Sequence, residues 1–226
     1  IRPTGVLTGI SGLVRPSPTL DALLGDVASF CCSVRHIEQT DGAEVGRGHA
    51  NLPLYINGEA VERVVSFKYL GTYISEDLSW TANTNKVVKK AQKRLYFLRM
   101  LRNLNLSQHL LQSYYHSTIE SVLTYGMLSW NGNSFVADKK ALQRIIKIAQ
   151  NVTGLQLTTL DDIFTSHCLR KSHNILRDST HPAHNFFELL PSGRRYRTIK
   201  TRTTRLLNSF YPRAIIALNN ELKDHQ

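Results

Sequence analysis

Cysteine is scarce in this sequence: Cys31, Cys32 and Cys168 are the only three in 226 residues. Three thiols cannot build a disulfide framework, so a reducing, intracellular setting, nuclear or cytoplasmic, is the expectation. Long apolar runs are missing too. Ala214 to Leu218 is among the longest, far short of the roughly 18 residues that a membrane-spanning helix requires. Ile1 to Ile10 lack the basic start and apolar stretch of a secretory signal, and the absence of an initiator Met suggests a piece of a longer product. No G-x-S-x-G elbow and no Walker loop occurs. Acidic residues are outnumbered, 17 Asp+Glu against 28 Lys+Arg, for a net charge of +11. What is present, 42% hydrophobic and 20% charged residues, excludes a disordered chain. A chain of this length buries enough surface to fold without a disulfide or metal staple.

The basic excess is uneven. Residues 1–60 hold four basic and six acidic residues, whereas 61–226 hold 24 and 11. The net of +13 in the larger part points to an anionic partner for that part alone. Two blocks concentrate it: seven basic residues and no acidic one between Lys86 and Arg102, and again seven and none between Arg194 and Arg213. Ordinary solvated helix faces mix both signs.

The chain divides into three stretches. Residues 1–51 are punctuated by Gly, Pro, Ser and Thr; only Leu20 to Phe30 could form a short helix, capped by Thr19, so a divergent or poorly ordered leader is expected. In 52–78, Leu54-Tyr55-Ile56 and Ala60-Val61 flank Asn57-Gly58, the dipeptide suited to a type I′ turn, which predicts a β-hairpin. Val64-Val65 and Phe67 to Ile74 read as one further strand, with Gly71 at a bulge or a close backbone approach.

After Ser79 the period becomes helical. Thr84, Val87, Val88, Ala91, Leu95, Leu98 and Leu101 make one apolar stripe, and Lys86, Lys89, Lys90 and Lys93 fall roughly opposite it. A second helix is predicted from Ser107, carrying Leu110, Leu111, Tyr114, Tyr115, Thr118, Ile119, Val122 and Leu123. A third runs from about Phe135 to a glycine cap at Gly154, and a fourth opens at Thr159 and ends before His181-Pro182. Arg194 to Arg205 is polar and basic, and Pro212 precedes a short final apolar segment. The fold expected is mainly α: a small antiparallel β-hairpin or meander followed by a helical bundle over 79–226. There are no internal repeats.

Five segments in order carry a family resemblance: FKYLGTYISEDLSW (67–80), KKAQKRLYFLRMLR (89–102), YYHSTIESVLTYG (114–126), ADKKALQRIIKIAQNVTG (137–154) and LLPSGRRYRTIKTRTTRLLNSFYPRAI (189–215). Together they resemble the region after the palm in reverse transcriptases of vertebrate non-LTR (LINE-type) retrotransposons. The resemblance implies that Phe67, Tyr69, Leu70 and Gly71 form a primer-grip-like turn and that the helices form a thumb. It also implies a fragment without catalysis. The family's Y-x-D-D palm would precede residue 52, and the carboxylates that hold two metal ions about 3.5–4 Å apart have no counterpart in residues 1–51, whose aspartates are Asp21, Asp26 and Asp41.

Other constellations invite chemistry. Asp161-Asp162 mimics a polymerase dyad, but Thr159 three residues before Asp162 reads as a capping box with Asp in the Glu position. Cys168 with His167, His173, His181 and His184 offers zinc-type ligands without a C-x₂-C pair; a structural role is favoured. His36-Ile37-Glu38 fits the short H-x-[DE] pattern of iron dioxygenases. Trp80 and Trp130 are expected in the core, while Tyr73 and Tyr196 either pack or stack on bases.

The leading expectation is a palm-less fragment that grips the RNA or DNA template–primer backbone without reading sequence. Lys86, Lys89, Lys90 and Lys93 supply one basic surface, and Arg194, Arg195, Arg197, Lys200, Arg202 and Arg205 a second. No cofactor and no metal are expected. The rival reading is a domain like the N-terminal part of AlkB-homologue proteins, associated with iron and 2-oxoglutarate dioxygenase or methyltransferase modification of nucleic acid, with His36 and Glu38 as iron ligands. No jelly-roll strand pattern or S-adenosylmethionine loop accompanies it. A third reading is an inactive retroelement relic.

Overall fold

The computed structural model describes residues 64–224 and, as backbone, the strands Leu54–Ile56 and Glu59–Val61. The leader, the Leu20–Phe30 helix, His36-Ile37-Glu38 and the Asn57-Gly58 turn lie outside the described residues. The architecture is mainly helical, with small antiparallel hairpins preceding the helices.

Strands β1 (Leu54–Ile56) and β2 (Glu59–Val61) pair antiparallel, with Ile56 opposite Glu59. The expected single strand over Phe67 to Ile74 is instead a second hairpin. Its strands β3 (Ser66–Tyr69) and β4 (Thr72–Ser75) place Tyr69 opposite Thr72. Leu70 and Gly71 between them have φ of 44° and 83°, and two consecutive positive φ values are what a two-residue hairpin turn demands. A leucine in the left-handed region is uncommon, which is why the sequence reads through the turn. The close approach expected at Gly71 is found. A Cβ there would stand 3.0 Å from Cε1 of Tyr125, whose hydroxyl donates to the Leu70 carbonyl at 2.7 Å.

Helix α1 (Thr81–Asn103) has the predicted stripe: Thr84, Ala91, Leu95 and Leu98 are buried, and Val87, Val88 and Leu101 are half-buried. It ends where Asn105 turns left-handed, with φ 56°. The second predicted helix begins after Ser107 as expected, yet it is not uniform: α2 (Gln108–Tyr114) passes into a π-helical stretch, Tyr115–Glu120, and then α3 (Ser121–Thr124). Leu111, Tyr115, Ile119 and Leu123 are all fully buried, a strict spacing of four. On a helix of 3.6 residues per turn that spacing drifts about 40° per step; a wider turn keeps the four on one face. Leu110, expected on the apolar side, faces solvent.

After α4 (Met127–Trp130), α5 (Val136–Thr153) ends on left-handed Gly154, as predicted. Helix α6 (Leu160–Arg177) starts at Thr159, whose Oγ1 accepts the Asp162 N–H at 3.2 Å. A mostly irregular segment leads to the short α7 (Thr204–Leu207) and then α8 (Phe210–Asp224). The last helix corrects the short final segment. Pro212 lies inside its first turn, where a missing N–H costs no intrahelical bond, and Phe210, Ala214, Ile215 and Leu218 are buried. Helix α1 packs chiefly on α5, and α6 on α8. One core joins them, including Trp80, Leu98, Trp130, Ile146, Phe164 and Leu218.

Candidate nucleic-acid interface

Because the buried stripe of α1 faces α5, the opposite side is committed to solvent. Lys86, Lys89, Lys90 and Lys93 are all exposed there, recurring every three or four residues, roughly 5 Å apart along the axis. No acidic residue lies anywhere in α1. The hairpin extends the row. Lys68 is directly opposite Tyr73 in the β3–β4 register, so both project from the same face of the sheet. The Lys86 ammonium sits 5.5 Å from the centre of the Tyr73 ring, a cation–π distance, and the Tyr73 N–H donates to Asn83 Oδ1 at 3.2 Å. Lys68, Tyr73 and Lys86 thus form one continuous corner with the helix row.

The other end of the lysine row carries an exposed aromatic pair that the sequence reading overlooks. Tyr96 and Phe97 come three and four residues after Lys93, and they are 59% and 54% exposed with rings 5.6 Å apart, edge to face. Met100 and Leu104 continue the same face, also exposed. The same 100° wheel that places the lysines would place these residues beside them.

The second block is less uniform. Arg194, Arg195, Arg197, Lys200 and Arg202 are exposed; Arg197 lies 3.8 Å from Glu188, a weak surface pair. Arg205 is half-buried and its guanidinium donates to the Leu78 carbonyl, so it anchors α7 itself to the turn just before α1. Tyr196 packs: its N–H donates to Asn219 Oδ1 at 2.7 Å, Asn219 Nδ2 donates back to its carbonyl at 3.2 Å, and burial raises its phenol pKa. The bonds that fix this segment run to α8, to Leu78 and, by backbone pairing of Arg195 and Arg197, to Leu190 and Glu188.

The other candidates resolve simply. Phe67 is exposed, Tyr69 and Leu70 are half-buried, and Gly71 completes the turn held by Tyr125. Asp161 and Asp162 occupy the first turn of α6, with Thr159 Oγ1 2.6 Å from the Asp162 carboxylate. Cys168 is buried on α6. His173 pairs with Glu221 at 2.9 Å, His184 Nδ1 lies 3.2 Å from the Ile175 carbonyl, and His181 Nδ1 accepts the Ala183 N–H at 3.1 Å. Among the described residues no group of three or more His, Cys, Asp and Glu could hold a metal ion. Trp80 and Trp130 are core residues as expected, and the Trp130 indole donates to the Tyr125 carbonyl at 3.0 Å. Among the described residues no helix is long and apolar enough to cross a membrane.

A family model matches residues 80–121: alkylated DNA repair protein alkB homolog 8, N-terminal. The match spans α1, the connection after it, α2 and the π-helical stretch, less than a fifth of the chain. No curated protein and no solved structure matches. The resemblance to LINE-type reverse transcriptases is thereby corrected. Over part of the stretch that carried it, the family match goes to the AlkB homologue, and the retrotransposon assignment falls with it. The local geometry gives the physical reason. F-x-Y-L-G here is a tight hairpin turn seated on Tyr125, and an amphipathic helix with a basic outer face is shared by many nucleic-acid binders.

Proposed function

We propose that the chain is a nucleic-acid-binding helical module of the kind found beside AlkB-type modifying enzymes, and that it holds the phosphate backbone without reading base sequence. The observation that carries this is the outer face of α1, where four exposed lysines repeat at helical spacing with no acidic residue on the helix. Each ammonium is a strongly hydrated point charge on a flexible stem, suited to neutralising phosphates, and phosphate contacts carry no sequence information. The partial match to a family whose description names alkylated-DNA repair agrees with a nucleic-acid setting.

Salt dependence tests the proposal. Each neutralised phosphate on B-form DNA contributes about −0.9 to the slope of log K against log[salt]. Replacing Lys86, Lys89, Lys90 and Lys93 by Gln preserves helix propensity and leaves the buried stripe intact. The variant should keep the wild-type circular dichroism, bind oligonucleotides of any sequence more weakly, and flatten the slope by up to about four phosphates' worth. An unchanged slope in the folded variant would overturn the proposal.

A further inference from the structure

On the strength of that reading of the lysine row, we infer that the outer face of α1 takes single-stranded nucleic acid in preference to duplex, with Tyr96 and Phe97 as the platform on which unpaired bases stack. Both rings are more than half exposed, in an edge-to-face pair, and both come after Lys93 within about one helical turn. Exposing two adjacent aromatic side chains gives up the burial that ordinarily places such residues inside. A ligand with flat π-faces recovers it. In a duplex those faces are hidden in the base stack, so a single strand alone can offer phosphates to ammonium groups and base faces to neighbouring rings. The order along the helix suits this division. Lys86, Lys89, Lys90 and Lys93 come first, and the aromatic pair continues the same side about 5 Å beyond Lys93. Charge decides against the main competing occupant, an apolar protein helix: Met100 and Leu104 would welcome one, but four lysines on the same face of a helix with no acidic residue favour a polyanion.

The test uses the full chain and a fluorescently labelled single strand of about 16 nucleotides, as DNA and as RNA, against the matching duplex. Wild type should bind the single strand more tightly. Tyr96→Ala and Phe97→Ala should each weaken it about fivefold or more, narrow the gap to duplex, and leave the salt slope unchanged, since no charge is removed. Met100→Ala with Leu104→Ala removes apolar surface without removing a ring and should leave binding within about twofold. Wild type that prefers duplex, or aromatic variants that bind as wild type does, would overturn the inference while the lysine slope still stands or falls by its own measurement. Equal losses from the aromatic and aliphatic pairs, with a change in sedimentation, would also overturn it and mark the face as a protein-contact surface.

Discussion

Burial decides the chemistry of single residues here, and Cys168 is the plainest case. Its thiol is 1% exposed, and loss of hydration pushes its pKa up to about 12, against the opposing pull of the nearby Arg213 charge. At pH 8 only about one part in 10⁴ is thiolate, the form that reacts. Cys168 in the folded chain should therefore resist iodoacetamide between pH 7 and 9 and become reactive in denaturant. Peptide mass mapping distinguishes it from Cys31 and Cys32; labelling at the rate of a free thiol would refute the claim. Residue-scale features are legible in the sequence when their partners are near in the chain. The Thr159 cap over Asp162 lies within one turn and can be read from spacing. Asp138 cannot: it sits in the first turn of α5, but its buried carboxylate accepts from the Thr81 hydroxyl at 2.9 Å, 57 residues away. Leu70 is misread from sequence because its turn conformation is held by Tyr125, equally remote in the chain.

At the scale of elements, α1, α5 and α6 are legible because each buries one face, and a 3.6-residue period records which. The π-helical stretch is missed, although the strict four-residue spacing of Leu111, Tyr115, Ile119 and Leu123 is available to reveal it. The widened turn has a hydrogen-bonding cost that neighbouring groups offset. Thr118 Oγ1 donates to the Tyr114 carbonyl at 2.5 Å, and the Arg94 guanidinium reaches across from α1 to the Thr118 carbonyl. One of the seven cations in the first basic block thus holds the helix pair together. Arg94→Met should lower stability by about 1.5–3 kcal/mol, the range for a hydrogen bond made by a charged group, here to a half-buried carbonyl that keeps a second donor in the Ser121 hydroxyl. This is seen as a lower urea midpoint. Arg99→Met, at an exposed position of the same helix, should stay within about 0.5 kcal/mol. Equal effects would mean that the π-helical stretch does not depend on Arg94. The final helix escapes the sequence reading for a simpler reason: Pro212 resembles a stop, whereas in a first turn it removes no bond.

For the molecule as a whole, the order and type of the helices are legible, but their partnership is not. Nothing in a periodic stripe says that α1 packs on α5 while α6 packs on α8. The consequence is a single core contributed from both ends of the described helices, with Leu98 of α1 and Ile215 of α8 in one cluster. If that cluster is one cooperative unit, distant truncations act on the same transition. Leu98→Ala and Ile215→Ala should each cost about 2–5 kcal/mol, as large-to-small changes at fully packed sites do. Both should lower the urea midpoint seen by the buried Trp80 and Trp130 and the midpoint seen by helical circular dichroism, and the two probes should continue to coincide. The Ile215 variant is the stricter test, because neither tryptophan lies on α6 or α8. A shift in the helical signal that leaves tryptophan fluorescence untouched would divide the core into two units, with α6 and α8 melting on their own. Coincident shifts would tie the solvent face of α1, and the binding proposed for it, to the integrity of the last helix.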